Sequence, residues 1–373
     1  MRIALDCTPL LGQRTGIGHY TANLLTELLS LAADDSLLAT AFTFRGRDQL
    51  AGAVPPGVEV AARPAPARAL RTMWSHGTMP PVEWLTGGID VFHATNFVLP
   101  PTRRARGVLT VHDLAYLKFP QTVSSASLTY RELVPSGLRR ARVVCTPSRA
   151  VATQLQDAYA LAEEAIAVTP LGVDAAWHRA AAPSGEWRTA HRLGRDYILA
   201  VGTIEPRKNL ALLVSAYRQL LATHSDVPPL VLAGGAGWGD ALDLDGIPAD
   251  RLVMPGHLPI DDLRTLVAGA SLLVFPSLDE GFGLPPLEAL ACGVPVVASD
   301  LPVTREVLGD QARFVAVDER ARQTNVDALA DAIVSELDAP TGDAATRREY
   351  AAGFTWRACA EKTYAAYQRA AEA

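Results

Sequence analysis

The 373-residue chain predicts an α/β protein made of two doubly wound domains in series. Three observations carry this reading. Short, continuously apolar strand candidates recur along the chain. Amphipathic stretches alternate with them. One central segment shows no strand pattern. The length is about twice that of a usual domain. A composition of 49% hydrophobic and 20% charged residues supplies apolar surface for two cores.

In chain order, Ile3–Cys7 predicts a strand and Ile17–Leu31 a helix, with Leu24, Leu25, Leu28, Leu29 and Leu31 near helical spacing. Further strands are expected at Leu38–Phe44, Val91–His93, Val108–His112, Val143–Thr146 and Ile166–Thr169. Asp6, His93, His112 and Ser148 stand at or just past strand ends, where parallel α/β sheets gather ligands. A second series begins with strand Tyr197–Val201 and helix Leu210–Leu221. Strands Leu230–Ala233, Leu252–Met254, Leu272–Phe275 and Pro295–Ala298 follow, with helices Asp261–Ala268 and Pro285–Ala291 between them. Continuous rather than alternating apolar runs fit strands buried on both faces of a parallel sheet. The break is expected between Gly172 and Asp196, giving a first domain over 1–180 and a second over 190–355. Trp356–Ala371 predicts a final helix.

The net charge is −6, unevenly placed: residues 1–180 carry 17 Lys+Arg against 14 Asp+Glu, and residues 181–373 carry 17 against 26. Two arginine groups stand out in the first half, Arg103, Arg104 and Arg106, then Arg139, Arg140 and Arg142. Solvated surface accounts for them plainly; a basic face for an anionic acceptor or an anionic membrane is the sharper reading. An acidic chain without a nucleic-acid module speaks against nucleic acid as a partner. Cys7, Cys145, Cys292 and Cys359 form no metal-type pair and read as buried free thiols of a reducing compartment. Asp6 interrupts the opening apolar run, unlike a signal peptide. The uncharged run Thr265–Leu278 is too short to span a membrane. A cytoplasmic protein is expected, with peripheral contact at the inner membrane face as its only membrane association.

Four segments could carry chemistry. The first, Asp279-Glu280-Gly281-Phe282-Gly283-Leu284-Pro285-Pro286-Leu287-Glu288, follows a strand and opens a helix. Gly281 and Gly283 allow a tight turn that aims amide N–H groups at a ligand. Pro285 and Pro286 suit a first helical turn, and a helix N-terminus favours a phosphate. Carboxylates beside such a cradle would repel an anion, so Glu280 and Glu288 are expected to accept hydrogen bonds from sugar hydroxyls. An ordinary strand–turn–helix with surface glutamates is the plain alternative. The second segment, Gly202-Thr203-Ile204-Glu205-Pro206-Arg207-Lys208-Asn209, places a forked donor and a point charge at a strand end, a pair suited to a pyrophosphate. The plain alternative is a basic surface loop. Arg207 and Lys208 are expected to be exposed, so that removing both costs little stability. The third, Thr15-Gly16-Ile17-Gly18-His19-Tyr20, opens the first helix; a lone GxG is weak. The fourth is Val111-His112-Asp113, with a strand-end histidine that is either structural or functional. His93 and His257 read as structural.

Together these segments resemble the family-4 retaining glycosyltransferases of the GT-B fold, across nearly the whole chain. The Glu280…Glu288 spacing followed by EALACGVPVVAS is the most specific part. GTIEPRKN is similar to the variant of bacterial mannosyl- and rhamnosyltransferase-like members. The resemblance implies two Rossmann-like domains facing a central cleft, with the last helix, about 356–373, returning to the first domain. It implies a nucleotide-sugar donor, with GDP-mannose suggested, and a glycan, lipid-linked or small-molecule acceptor. It implies that Glu280 contacts the donor sugar and Glu288 the ribose. It further implies that Arg207 and Lys208 hold the diphosphate with backbone N–H groups of Phe282, Gly283 and Leu284, in the loop region that starts at Gly202 and Gly281. Gly16 and Gly18 would lie near the phosphates or acceptor, His112 near the transferred sugar, and the Leu258 backbone near the base. Many members carry Arg after the glycine of the first strand of the second domain. Here it is Thr203, so Arg207 takes part of that role.

The expected reaction is transfer with retention, without a metal or other cofactor. In the resembled family the donor phosphate itself helps to deprotonate the acceptor, and no protein nucleophile is assigned. A nucleotide-sugar epimerase or sugar-phosphate synthase on the same fold, or a non-catalytic nucleotide-sugar-binding protein, are the alternatives.

Overall fold

The computed structural model describes residues 1–12, 14, 16–44, 47–61, 63, 64, 66–317 and 321–372. The chain forms two units. One comprises Met1–Lys118, Ser125–Gly172 and Thr355–Ala373; the other comprises Phe119–Ser124 and Val173–Phe354.

The first unit is built on a seven-stranded sheet: β1 Arg2–Asp6, β2 Ser36–Thr40, β3 Glu59–Ala61, β4 Val91–Ala94, β5 Arg106–Thr110, β6 Ala141–Thr146 and β7 Ile166–Val168. The strand order is β3-β2-β1-β4-β5-β6-β7, and every pairing is parallel. Such strands are covered on both faces, which is why β1, β4 and β5 read as unbroken apolar runs. Helix Gly16–Leu31 buries Leu24, Leu25 and Leu28, an i, i+1, i+4 stripe on one face. The C-terminal helix Trp356–Glu372 belongs to this unit. Its Tyr367 hydroxyl lies 2.6 Å from His93 Nδ1, and His93 Nε2 lies 2.7 Å from Thr110 Oγ1. Burial, then the neighbouring His112, drives the His93 imidazole down to a pKa of about 3, so it stays neutral and ties helix to sheet.

The second unit carries a six-stranded sheet: β8 Ile198–Val201, β9 Leu230–Ala233, β10 Leu252–Gly256, β11 Leu272–Phe275, β12 Val296–Ser299 and β13 Arg313–Val315. Its order is β10-β9-β8-β11-β12-β13, again with parallel pairings. Helix Leu210–Thr223 packs Leu213, Val214, Tyr217 and Leu220 into this core. In each sheet the chain direction of winding reverses once, between β1 and β4 and between β8 and β11. Loops leaving such neighbours diverge, which opens a crevice beyond the strand carboxyl ends.

The structure departs from the sequence reading at the edges. β2 ends at Thr40 rather than Phe44, whose side chain is 70% exposed. β3 and β13 are three-residue edge strands containing Glu59 and Arg313, too short and too polar to register as apolar runs.

Candidate active site

β8 and β11 adjoin at the reversal of the second sheet. The loops that leave them carry the two strongest sequence signals. After β8 the chain runs through Gly202 into a one-turn 3-10 helix, Pro206–Lys208, where the fixed φ of proline starts the turn. Asn209 then takes a left-handed conformation, φ 52°, and launches helix Leu210–Thr223. The Leu278 amide donates to the Arg207 carbonyl at 2.9 Å and joins the two loops.

Four side chains meet there. Arg207 Nη1 donates to the Asp279 carbonyl at 2.8 Å and stands 3.0 Å from Glu280 Oε2, while Nη2 stands 2.8 Å from Glu205 Oε1. Lys208 Nζ donates to Glu280 Oε1 at 2.7 Å and lies 5.1 Å from the centre of the Phe275 ring. Burial would push the Glu280 carboxyl up; Arg207 and Lys208 overcome it and hold the pKa down at about 2. Glu205 is raised by burial against the same two cations. This corrects the expectation of two exposed cations. The Arg207 and Lys208 side chains are only 16% and 14% exposed, because the Pro206 turn folds them under the β11 loop.

Beyond Glu280, Gly283 takes φ 94°, a left-handed conformation that favours glycine, and caps helix Leu284–Ala291 with Pro285 and Pro286 in its first turn. Phe282 is buried edge-on against Phe354, their rings 6.1 Å apart. Glu288 lies in the second turn and is half-buried. Its side chain makes no hydrogen bond among the described residues. Burial raises its pKa to about 8, opposed by Arg264 and assisted by Asp174. Arg264 is committed elsewhere: it pairs with Asp261 at 2.8 Å and Asp174 at 3.4 Å, and lies 5.7 Å from the Trp177 ring centre.

Glu288 therefore retains its proton in the folded protein up to about pH 8, whereas an unfolded glutamate loses it near 4.5. The folded state binds the extra proton between those values, so its stability falls as pH rises through that window. Glu288→Gln should raise the melting temperature at about pH 8.5, by a stabilisation on the order of a few kcal/mol, and change little at about pH 4.5. An equal shift at both pH values would contradict the assignment.

The remaining candidates lie as follows. Leu258 follows β10, two places along the sheet from β8, just after Gly256 and the exposed His257. In the first unit, Gly16 opens helix Gly16–Leu31 into free space, with no atom within 4 Å of where a Cβ would stand. A Cβ on Gly18 would meet the Pro9 carbonyl oxygen at 2.7 Å, so Gly18 is required by packing. Thr15 lies outside the described residues. His112 follows β5, and its Nε2 donates to the Thr95 carbonyl at 2.8 Å. That bond leaves Nδ1 as an acceptor on a ring wedged between Tyr20 and Phe97, at 5.1 and 5.6 Å. Burial lowers its pKa. Ser148 caps the helix Arg149–Tyr159 by accepting from the Val151 amide. The structure thus brings Glu280, Arg207 and Lys208 into one cluster, with Gly202, Gly281, Phe282, Gly283, Leu284 and Glu288 on the same two loops and the helix they enter.

Sequence reasoning quoted Glu205 without giving it a role, and passed over Arg264 and Asp174. Only Glu205 carried a usable signal, two residues before Arg207. Among the described residues, no group of three or more His, Cys, Asp or Glu could hold a metal ion. Among the described residues, no helix is long and apolar enough to cross a membrane.

Comparison with known proteins adds independent findings. Residues 185–352 match the family described as Glycosyl transferases group 1, and residues 14–177 match Glycosyltransferase Family 4. The O-antigen chain mannosyltransferase B of Escherichia coli is 32% identical over 288 residues, 74% of each chain. The O-antigen chain mannosyltransferase RfbU of Salmonella typhimurium is 26% identical over 330 residues, 86% of this chain and 89% of the relative. Among solved structures, sucrose-phosphate synthase from Thermosynechococcus elongatus superposes with a TM-score of 0.73 at 20% identity, covering 99% of this chain and 98% of that one. WaaG, a glycosyltransferase involved in lipopolysaccharide biosynthesis, does so with 0.70 at 16% identity, over 97% and 98%.

Proposed function

Because this chain belongs to the group 1, family-4 glycosyltransferases of the GT-B fold, we propose that it moves mannose from GDP-mannose to a glycan acceptor with retention at the anomeric carbon. The observation that carries this reading is the Glu280–Arg207–Lys208 cluster at the β8/β11 reversal. Mannose and a glycan acceptor are favoured by the names of the two O-antigen relatives.

In this reading the donor diphosphate competes with Glu280 for Arg207 and Lys208. The two cations are already placed and partly desolvated, so they take up the charge that grows on the leaving group without reorganising. Glu280, released from its ion pairs, accepts from the sugar hydroxyls, and Glu288 accepts from the ribose. In the first unit, Nδ1 of His112 is free to accept from a hydroxyl of the transferred sugar. The bond from the anomeric carbon to the phosphate oxygen breaks, and the bond to the acceptor oxygen forms on the same face. The acceptor proton passes to the departing phosphate.

Turnover of GDP-mannose in the presence of glycan acceptors tests the proposal. A new mannosyl glycosidic bond supports it. An epimerised nucleotide sugar formed without acceptor would establish an epimerase, a product made only on sugar phosphates a synthase, and binding with no product a non-catalytic role. Since Arg207 and Lys208 supply the positive charge, activity is expected to survive EDTA. Activity abolished by the chelator and restored by Mg²⁺ or Mn²⁺ would assign that charge to a metal instead.

A further inference from the structure

The arginine groups of the first unit are not scattered surface. β5 and β6 are parallel neighbours, with Gly107 beside Ala141, so the chain enters both strands at the same edge of the sheet. Arg103, Arg104 and Arg106 therefore meet Arg139, Arg140 and Arg142 around one recess of about 380 Å³. It lies at the end of the sheet opposite His112: the five residues of β5, at about 3.3 Å each, separate the two ends by roughly 16 Å.

The recess has a fixed frame. Glu83 Oε1 accepts from the backbone amides of Arg103, Arg104 and Ala105 at 2.7, 2.8 and 3.1 Å, so one oxygen of the nearby carboxylate is spent on the turn, while Oε2 is buried without a hydrogen-bond partner among the described residues. Burial raises the Glu83 pKa, but these hydrogen bonds outweigh it and lower it overall. Arg140 donates to the carbonyls of Leu99, Trp74 and Gly77 at 3.3, 2.8 and 2.5 Å. The Arg139 guanidinium reaches Ser136 Oγ at 3.4 Å. The guanidinium groups of Arg103, Arg104, Arg106 and Arg142 have no hydrogen bond or ion pair among the described residues.

Six like charges around one recess repel each other, and a bound polyanion would relieve that repulsion. Planar forks of N–H donors match phosphate oxygens two at a time. We propose that this recess is a binding site for a multiply charged phosphate ester, additional to the cluster at Glu280. A soluble polyphosphate compound and an anionic phospholipid headgroup offer the same chemistry, and two arms of one experiment separate them.

Inorganic pyrophosphate is titrated calorimetrically into the wild-type chain and into Arg103→Gln/Arg104→Gln/Arg142→Gln at low salt. These three side chains are exposed and make no bond in the fold, so the variant should melt as the wild type does. The wild type should take up one more equivalent than the variant, or bind it at least tenfold more tightly. That difference should shrink at about 0.5 M salt, where screening acts within a few ångströms. The second arm sediments both proteins with phosphatidylglycerol vesicles and with neutral phosphatidylcholine vesicles. Binding to the anionic vesicles alone, lost in the variant, assigns the phosphate to a lipid. Identical pyrophosphate binding by both proteins, together with equal vesicle partition, overturns the proposal.

Discussion

Arg207→Ala/Lys208→Ala is expected to lower turnover of the donor by at least 10²-fold. One preorganised donor to a developing negative charge is typically worth ~10²–10³ in kcat, and these two cations act on the same leaving group. Contacts that strengthen as the diphosphate departs affect kcat more than ground-state binding. The geometry adds a second expectation that the sequence alone did not support. Glu280 is 7% exposed, and both of its charged partners are removed in this variant. A buried carboxylate stripped of its cations costs ~3–5 kcal/mol or takes up a proton. The double variant should therefore melt well below the wild type. Adding Glu280→Gln removes one of the two stranded charges, the buried Glu205 being the other, and should recover part of that loss while turnover stays low. A triple variant that regained both stability and more than about a tenth of wild-type turnover, a threshold well inside that range, would place the leaving-group site elsewhere.

Glu288→Ala should weaken nucleoside-diphosphate binding itself. A hydrogen bond to a charged group is worth ~1.5–3 kcal/mol, which corresponds to roughly 10- to 150-fold in affinity. The effect should depend on pH. In the free protein the Glu288 carboxyl keeps its proton up to about pH 8. Ribose hydroxyls donating to the carboxylate favour its ionised form and lower that pKa in the complex. Binding should then release a proton near neutrality, and affinity should rise between about pH 6 and 8 and level off above. Calorimetry in buffers of different ionisation heat reads the proton directly. Unchanged affinity in Glu288→Ala, or no proton release in the wild type, would remove Glu288 from the nucleotide contact.

Much of this architecture was legible in the sequence because buried parallel strands write themselves as unbroken apolar runs. The loops between them were marked by Gly202, Pro206, Gly283 and Pro285. What escaped depends on which strands are neighbours. Glu280 and Lys208 are 72 positions apart, and their ion pair follows only from β8 lying beside β11. The same is true of the arginine recess, where Arg106 and Arg142 converge because β5 adjoins β6. The polar three-residue edge strands β3 and β13 leave no apolar run to read. Helix Arg322–Asp338 did leave one, Val326, Leu329, Ala330 and Ile333 at helical spacing, and the sequence reading passed over it. Glu288 illustrates the opposite limit: its position was readable, but its unpartnered, proton-retaining state is a property of the packed helix around it.

The most direct test of the account is a crystal structure of the chain with GDP bound. The account predicts the diphosphate within hydrogen-bond distance of Arg207 and Lys208 at the start of helix Leu284–Ala291. It also predicts at least one ribose hydroxyl on Glu288, and Glu280 separated from one or both of its cations. A diphosphate bound away from Arg207 and Lys208, with the Glu280 ion pairs intact, would contradict it.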